Sequence, residues 1–255
     1  MINKIIEISK EAGALIREGF GTNFNIEYKG SSSNLVTEID KKSEKLILDY
    51  ISKEFPGHSV LSEESGKKNR DSEYIWVVDP LDGTTNFAHG LPIFSVSIAV
   101  IKDGETCCGA VYDVMRDVIY TAETNSGAFM NGKRIKVNSI ESFEESVLVT
   151  GFPYDIQNNP FNAVQKFEAF LLKARAVRRL GSAALDFCYV ANGVFSGFWE
   201  VKLSPWDFAA GDLIVREAGG IVTDLEGKNL TINSSQILAT NGILHQKMLE
   251  ILRKT

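Results

Sequence analysis

Apolar residues at Ile5, Ile8, Ala12, Leu15 and Ile16 recur every three or four positions, so the chain is expected to open with a helix that buries one face and ends near Gly19 and Gly21. A flexible stretch from Gly30 to Asn34 precedes LVTEIDKKSEKLILDYI, in which Thr37 and Asp40 have the spacing of a capping box opening a second helix. Ile75 to Val78 form an apolar run of strand formers that Asp79 and Pro80 are expected to end, because proline cannot extend a central strand. FSVSIAVI from Phe94, AVYDVM from Ala110 and VIYTAE from Val118 alternate or run apolar, with hairpin turns at Lys102 to Gly104 and at Asn131-Gly132. A mostly antiparallel sheet follows from that pattern.

Near Ser139 to Glu145 the chain turns polar, and the pattern then alternates strand and helix. VLVTGF and GFWEV read as strands; Phe161 to Lys173, SAALDFCYVANG after Gly181, and Asp207 to Ala218 before Gly219-Gly220 read as helices. The chain therefore divides softly into an N-terminal α+β half, residues 1–141, and a C-terminal α/β half, residues 142–255.

Composition narrows the classes. With 255 residues and 44% apolar content the chain can bury one large core or two halves sharing one. A net charge of -6 without a long basic run argues against general nucleic-acid or membrane-surface binding. The three cysteines, with Cys107 and Cys108 adjacent, suit neither a disulfide framework nor a structural zinc site, and a reducing cytoplasm is the natural setting. MINKIIEISKEAG lacks the continuous apolar core of a signal peptide, and no segment has the length of a membrane span.

The chemistry concentrates at WVVDPLDGTTNFAH, residues 76–89. Asp79 at a strand tip, the Leu81 carbonyl and Asp82 across a tight turn could face one point, as oxygen ligands of a hard cation do. Gly83, Thr84 and Thr85 then offer backbone N–H groups suited to a phosphate. A Pro-x-Asp-Gly string alone is a common structural turn. What changes that reading is DPLDGTTNF as a whole together with PWDFAAGDLIVREAGG, from Pro205 to Gly220, because both resemble signatures of the inositol monophosphatase family. That resemblance extends from the first helix to about Asn241, and GFPYD at Gly151 and LGSAALD at Leu180 look like its bacterial branch.

The resemblance implies a layered αβαβα sandwich, similar to the wider fructose-bisphosphatase superfamily, and a lithium-sensitive phosphatase of small phosphorylated polyols. It implies two or three Mg2+ per site, with Mn2+ as a substitute. Asp79 would bridge two ions, Glu63 of HSVLSEESG and the Leu81 carbonyl completing the first, Asp82 and Asp207 the second. Thr84 and Asp40 would orient and deprotonate the attacking water, which Glu63 also contacts. Gly83, Thr84 and Thr85 would hold phosphate, with Gly181, Ser182, Ala183 and Glu200 meeting the alcohol and Asp82 and Asp207 also facing the substrate. Locally, the same residues have plainer readings: Asp40 and Asp207 as helix caps, Glu63 and Glu64 as loop charges, Glu200 as a strand-end charge. Trp206 would be packing support.

Other chemistries are weaker. Aspartyl-phosphate phosphatases carry Asp-x-Asp, whereas the spacing here is Asp-x-x-Asp. His58, His89 and His245 are scattered, and no nucleotide-triphosphate loop is present. Arg175, Arg178 and Arg179 form either a solvated charge cluster or a second phosphate site, which would make fructose 1,6-bisphosphate a substrate. Inositol 1-phosphate is the first expectation. A homodimer follows from the resemblance alone, and a role as a protein-binding factor in a transcription complex is the reading from another class.

Overall fold

The computed structural model describes residues 1–28, 35–68 and 70–255, so the expected flexible stretch from Gly30 to Asn34 lies outside the described residues. The chain opens with α1 (Ile2–Gly19), β1 (Ile26–Tyr28), β2 (Leu35–Thr37) and α2 (Glu38–Glu54). Next come β3 (Ser59–Ser62), β4 (Gly66–Lys68), β5 (Tyr74–Asp82), α3 (Thr84–Ala88), β6 (Ser95–Lys102), β7 (Glu105–Asp113), β8 (Val118–Glu123), β9 (Gly127–Met130) and β10 (Lys133–Arg134). The remainder is β11 (Val147–Thr150), α4 (Ala163–Leu171), β12 (Ala176–Arg178), α5 (Ala183–Ala191), β13 (Gly197–Val201), α6 (Pro205–Glu217), β14 (Ile221–Asp224), β15 (Gln236–Thr240) and α7 (His245–Leu252). No helix among the described residues is long and apolar enough to cross a membrane.

An eight-stranded sheet runs in the order β10-β9-β8-β7-β6-β5-β3-β4, and a five-stranded sheet in the order β12-β11-β13-β15-β14. The first is antiparallel except where β3 lies parallel to β5; in the second, β11 is parallel to both β12 and β13. Strand alternation divides the side chains between layers. Trp76 and Val78 of β5 pack with Ile5, Ile8 and Ile47 of α1 and α2, while Val77 between them joins Leu185, Phe187, Leu213 and Ile214 of α5 and α6. Phe198, Ile237 and Ala239 of the smaller sheet close on the other side of that same α5–α6 layer. Trp199 and Leu238, one residue out of phase, pack outward on Phe170, Met248 and Leu249 of α4 and α7. The layers are thus helix pair, sheet, helix pair, sheet, helix pair, the αβαβα sandwich that the sequence resemblance implies.

The expected hairpin turns form: Asp103 and Gly104, like Asn131 and Gly132, both have positive φ, the geometry of a two-residue turn between antiparallel strands. Two expectations change. β5 does not end at Pro80 but continues to Asp82 through a bulge, with Asp79 opposite Ser97 and Asp82 opposite Ser95. Proline is tolerated there because the ladder slips and its missing N–H falls at an unpaired position. The helix expected from Phe161 begins only at Ala163, since Phe161 and Asn162 take positive φ.

The central layer depends on a close approach. A Cβ added at Gly211 of α6 would lie 2.5 Å from Cβ and Cγ of Phe187 on α5, and that Cβ is fixed by its backbone. Alanine's helix advantage of about 1 kcal/mol is smaller than an overpacking cost of about 1–3 kcal/mol. Gly211→Ala should therefore lower Tm in scanning calorimetry by a few degrees, at roughly 2–4 °C per kcal/mol. A raised Tm would mean that the helices separate without cost.

Candidate active site

β5 delivers its bulged tip, Asp79 to Asp82, to the end of a cleft of about 340 Å3, which also receives the start of α5, the end of β13 and the first turn of α6. One carboxylate oxygen from each of Asp79, Asp82 and Asp207 lies within 4.8 Å of the other two. Glu63 is in the turn after β3, and its amide donates to the Val78 carbonyl, 3.2 Å away, one residue before Asp79.

Local sequence explains each placement. The Leu81 amide donates to Asp79 Oδ1 at 3.0 Å, which folds the chain back after Pro80. Asp207 is the third residue of α6 and accepts the Ser204 amide at 2.7 Å in a capping box, so its cap reading and its place in the cleft hold together. Asp40 does the same for α2. Its Oδ2 accepts the Thr37 amide and hydroxyl, while its Oδ1 accepts the Thr84 hydroxyl at 2.7 Å. The Leu81 carbonyl is 3.0 Å from the same Thr84 hydroxyl, whose single proton goes to the carboxylate.

Asp82 is bound more extensively than its neighbours. It accepts from the Ser95 hydroxyl, the Ser182 hydroxyl and the amides of Ala183 and Ala184, the last two at the N-terminus of α5. Gly83 follows at φ +97°, where an added Cβ would meet the Ile93 carbonyl oxygen at 3.0 Å and that of Gly181 at 3.1 Å. Glycine is required at that position. Thr85, Gly181, Ser182, Ala183 and Glu200 all line the cleft. The Glu200 carboxylate occupies the space that a side chain at Gly151 would need, with an added Cβ falling 2.2 Å from Oε2.

Electrostatics define what the site can hold. Burial, then the charges of Glu63, Asp82 and Asp207, keep the Asp79 carboxyl well above the ordinary carboxylate range. Burial likewise raises Asp207, and pushes Asp82 up to about 6 against the pull of Ser182, Ala184 and Ser95. Glu200 is raised by burial to about 8, against the opposing charge of Arg179. A dry cluster of mutually repelling oxygens carries its full charge only with a cation among them. The donor set is three carboxylate oxygens, the ligand type that hard divalent cations prefer.

Three features were not evident from the sequence: Ser95 as a partner of Asp82, Tyr154 beside the acids, and Asp186 among the cleft-lining residues. The last had a readable signal, since an acid between Leu185 and Phe187 in an apolar helix must be buried or paired. The arginine group divides. Arg175 and Arg178 bind the carbonyls of Glu144 and Val177, whereas Arg179 lines both this cleft and an adjoining one of about 650 Å3 that includes His89. His58 accepts from Trp76 Nε1 and stacks on Tyr74, and His245 is buried between Thr223 and Thr240; both are structural. Trp206 packs against the central core.

Known proteins share both sequence and shape with this chain. An inositol-1-monophosphatase of Mesorhizobium japonicum is 38% identical over all of this chain and 96% of its own length. The Nus factor SuhB of Escherichia coli is 41% identical over 99% of this chain and 96% of its own. The crystal structure of the extragenic suppressor protein suhB from Bartonella henselae superposes with a TM-score of 0.94 at 39% identity, covering 99% of this chain and 98% of that one. With residues 1–255 matching the family's sequence profile throughout, and its expected layers and acidic cleft in place, the chain belongs to the inositol monophosphatase family.

Proposed function

We propose that this protein is a magnesium-dependent phosphatase that hydrolyses inositol 1-phosphate to inositol and phosphate by direct attack of water. The observation that carries the reading is the convergence of Asp79, Asp82 and Asp207 at a cleft beside the hydrogen-bonded Thr84–Asp40 pair. Glu63, Asp79, the Leu81 carbonyl, Asp82 and Asp207 would hold the ions. When bound, Mg2+, or Mn2+ in its place, supplies the positive charge that admits a phosphate among these acids and acidifies adjacent water.

The chain's own groups do the rest. The Thr84 hydroxyl takes up a proton from the water and passes its own to Asp40, whose pKa burial raises against the pull of its two threonine partners. The water oxygen bonds to phosphorus as the ester P–O bond breaks, and the alcohol leaves with a proton from solvent. Amides of Gly83 to Thr85 hold phosphate oxygens, while Gly181, Ser182, Ala183 and Glu200 receive the alcohol. A cleft of about 340 Å3 suits one ring alcohol monophosphate. Lithium inhibition, a homodimer and a cytoplasmic setting belong to the same reading; the free cysteines Cys107, Cys108 and Cys188 agree with the last.

Phosphate release from inositol 1-phosphate and fructose 1,6-bisphosphate, compared across a magnesium titration with and without lithium, tests this directly. Release that depends on magnesium and favours the first ester is expected; magnesium-independent release would end the metal reading. The position of Arg179 between the two cavities favours fructose 1,6-bisphosphate as a second substrate. Arg179→Ala should then weaken turnover of the bisphosphate selectively, and equal losses on both esters would remove that case. Relatives named Nus factor SuhB support a further role with protein partners in transcription. A cellular phenotype preserved in hydrolytically dead Asp82→Asn would favour it.

A further inference from the structure

The cleft contains a carboxyl that neither capping nor ion pairing explains. Asp186 is in the first turn of α5, 1% exposed, and lines the cleft with Glu200 and Arg179. Its Oδ1 has no hydrogen-bond partner among the described residues, a condition shared only with Ser9 Oγ. Native proteins leave very few buried polar atoms in that state, and each calls for a reason.

An acid at the start of a helix ordinarily takes up its free N–H groups. Here those donors are already used, the amides of Ala183 and Ala184 by Asp82 and that of Leu185 by the Ser182 hydroxyl. Arg179 opposes the effect of burial without overcoming it, and the charges of Glu200 and Asp82 add to burial, so the Asp186 carboxyl stays well above the ordinary range. A neutral carboxyl there presents one O–H donor and one carbonyl acceptor. A polyol hydroxyl needs that combination.

On the phosphatase reading above, we propose that Asp186 is a specificity-determining residue whose carboxyl receives a hydroxyl of the substrate's alcohol half, so that the cleft selects polyhydroxylated alcohols over simple ones. Glu200, lining the same cleft, meets a second hydroxyl. Pairing a buried polar group only when the substrate carries the matching hydroxyl is how a site rejects analogues that lack it.

The test compares inositol 1-phosphate with p-nitrophenyl phosphate, whose leaving group carries no further hydroxyl, in saturating magnesium. Asp186→Ala should lower kcat/KM for inositol 1-phosphate about tenfold, chiefly through KM, and leave p-nitrophenyl phosphate within about twofold. Its Tm should not fall, because a buried carboxyl with an unpartnered oxygen costs the fold stability. Should the alanine variant fail to fold, Asp186→Asn keeps the shape without the acidic O–H, and about a threefold loss confined to inositol 1-phosphate is expected. Equal losses on both esters, or none on inositol 1-phosphate, would overturn the proposal while leaving the phosphatase reading intact. Failure of the wild-type protein to hydrolyse either ester would remove both.

Discussion

Asp79→Asn should reduce kcat/KM for phosphate release by at least about 10³-fold in saturating magnesium, since the several kcal/mol that a bound cation supplies to a phosphoryl transition state depends on the charge this position contributes. The substitution is conservative in shape. Asparagine keeps an acceptor for the Leu81 amide, so the fold-back after Pro80 and the bulge opposite β6 should survive. What disappears is the negative charge of a residue that is 1% exposed and repelled by Glu63, Asp82 and Asp207. Without divalent ions the folded cluster must either bear that repulsion or take up protons, and both oppose folding, so in EDTA at pH 8 the variant should melt above wild type, at about 2–4 °C per kcal/mol relieved. The pH dependence has a fixed sign. Carboxyls whose folded pKa values are raised bind more protons folded than unfolded, so the stability they contribute is full below the unfolded values and is lost as pH rises through the folded ones. For Asp82 and Glu200 those folded values are about 6 and about 8. Wild-type Tm in EDTA should therefore fall between pH 5 and pH 8.5, and added magnesium should restore it at the upper end. The variant should show a shallower fall and a smaller recovery. Full activity, or a lower melting point in EDTA at pH 8, would show that Asp79 is not part of a cation-binding cluster.

The residues that the sequence made legible are those whose partners are close in the chain. Thr37 and Asp40 are three positions apart, and their capping box forms as the spacing implies. The turns at Asp103-Gly104 and Asn131-Gly132 form because positive φ at both central residues is a local requirement. Pro80 shows the limit of such reasoning. Its missing N–H is a fact of the sequence, but whether that matters depends on register against β6, where the slip between Asp79 and Asp82 removes the need for a donor. Asp82 is a stronger case. Its hydrogen-bond partners Ser182, Ala183 and Ala184 come from the other half of the chain, about 100 residues away, and they tie β5 to α5. Periodicity alone carries no information about that pairing, and Ser182 to Ala184 lie outside both family motifs; what the motifs relate is Asp79 and Asp82 to Asp207, the three carboxylates the fold gathers at one cleft. Arg179 and Asp186 lie between those motifs, and only the packed layers put them at the cleft.

Thr84→Ala should lower kcat by about 10²–10³-fold with KM little changed, the range expected when a positioned proton acceptor is lost. The Thr84 hydroxyl stands 2.7 Å from Asp40 Oδ1, and Asp40 is wholly buried, so a proton taken by the threonine has a defined destination. Burial raises that carboxyl and makes it a stronger acceptor than an exposed aspartate, although its hydrogen bonds from Thr37 and Thr84 moderate the effect. Asp40→Asn should give a similar loss. It also alters the cap of α2, with a stability cost of about 1 kcal/mol, whereas Thr84→Ala leaves that cap untouched; comparing the two melting points separates chemistry from folding. Thr84→Ser, which retains the hydroxyl, should stay within about fivefold of wild type. Two groups that act as one relay lose their function once, so the double variant should be no slower than the slower single variant. Losses that multiply in the double variant would show independent contributions. A Thr84→Ala enzyme within twofold of wild type would remove the relay altogether and leave water activation to the charge at Glu63, Asp79 and their neighbours.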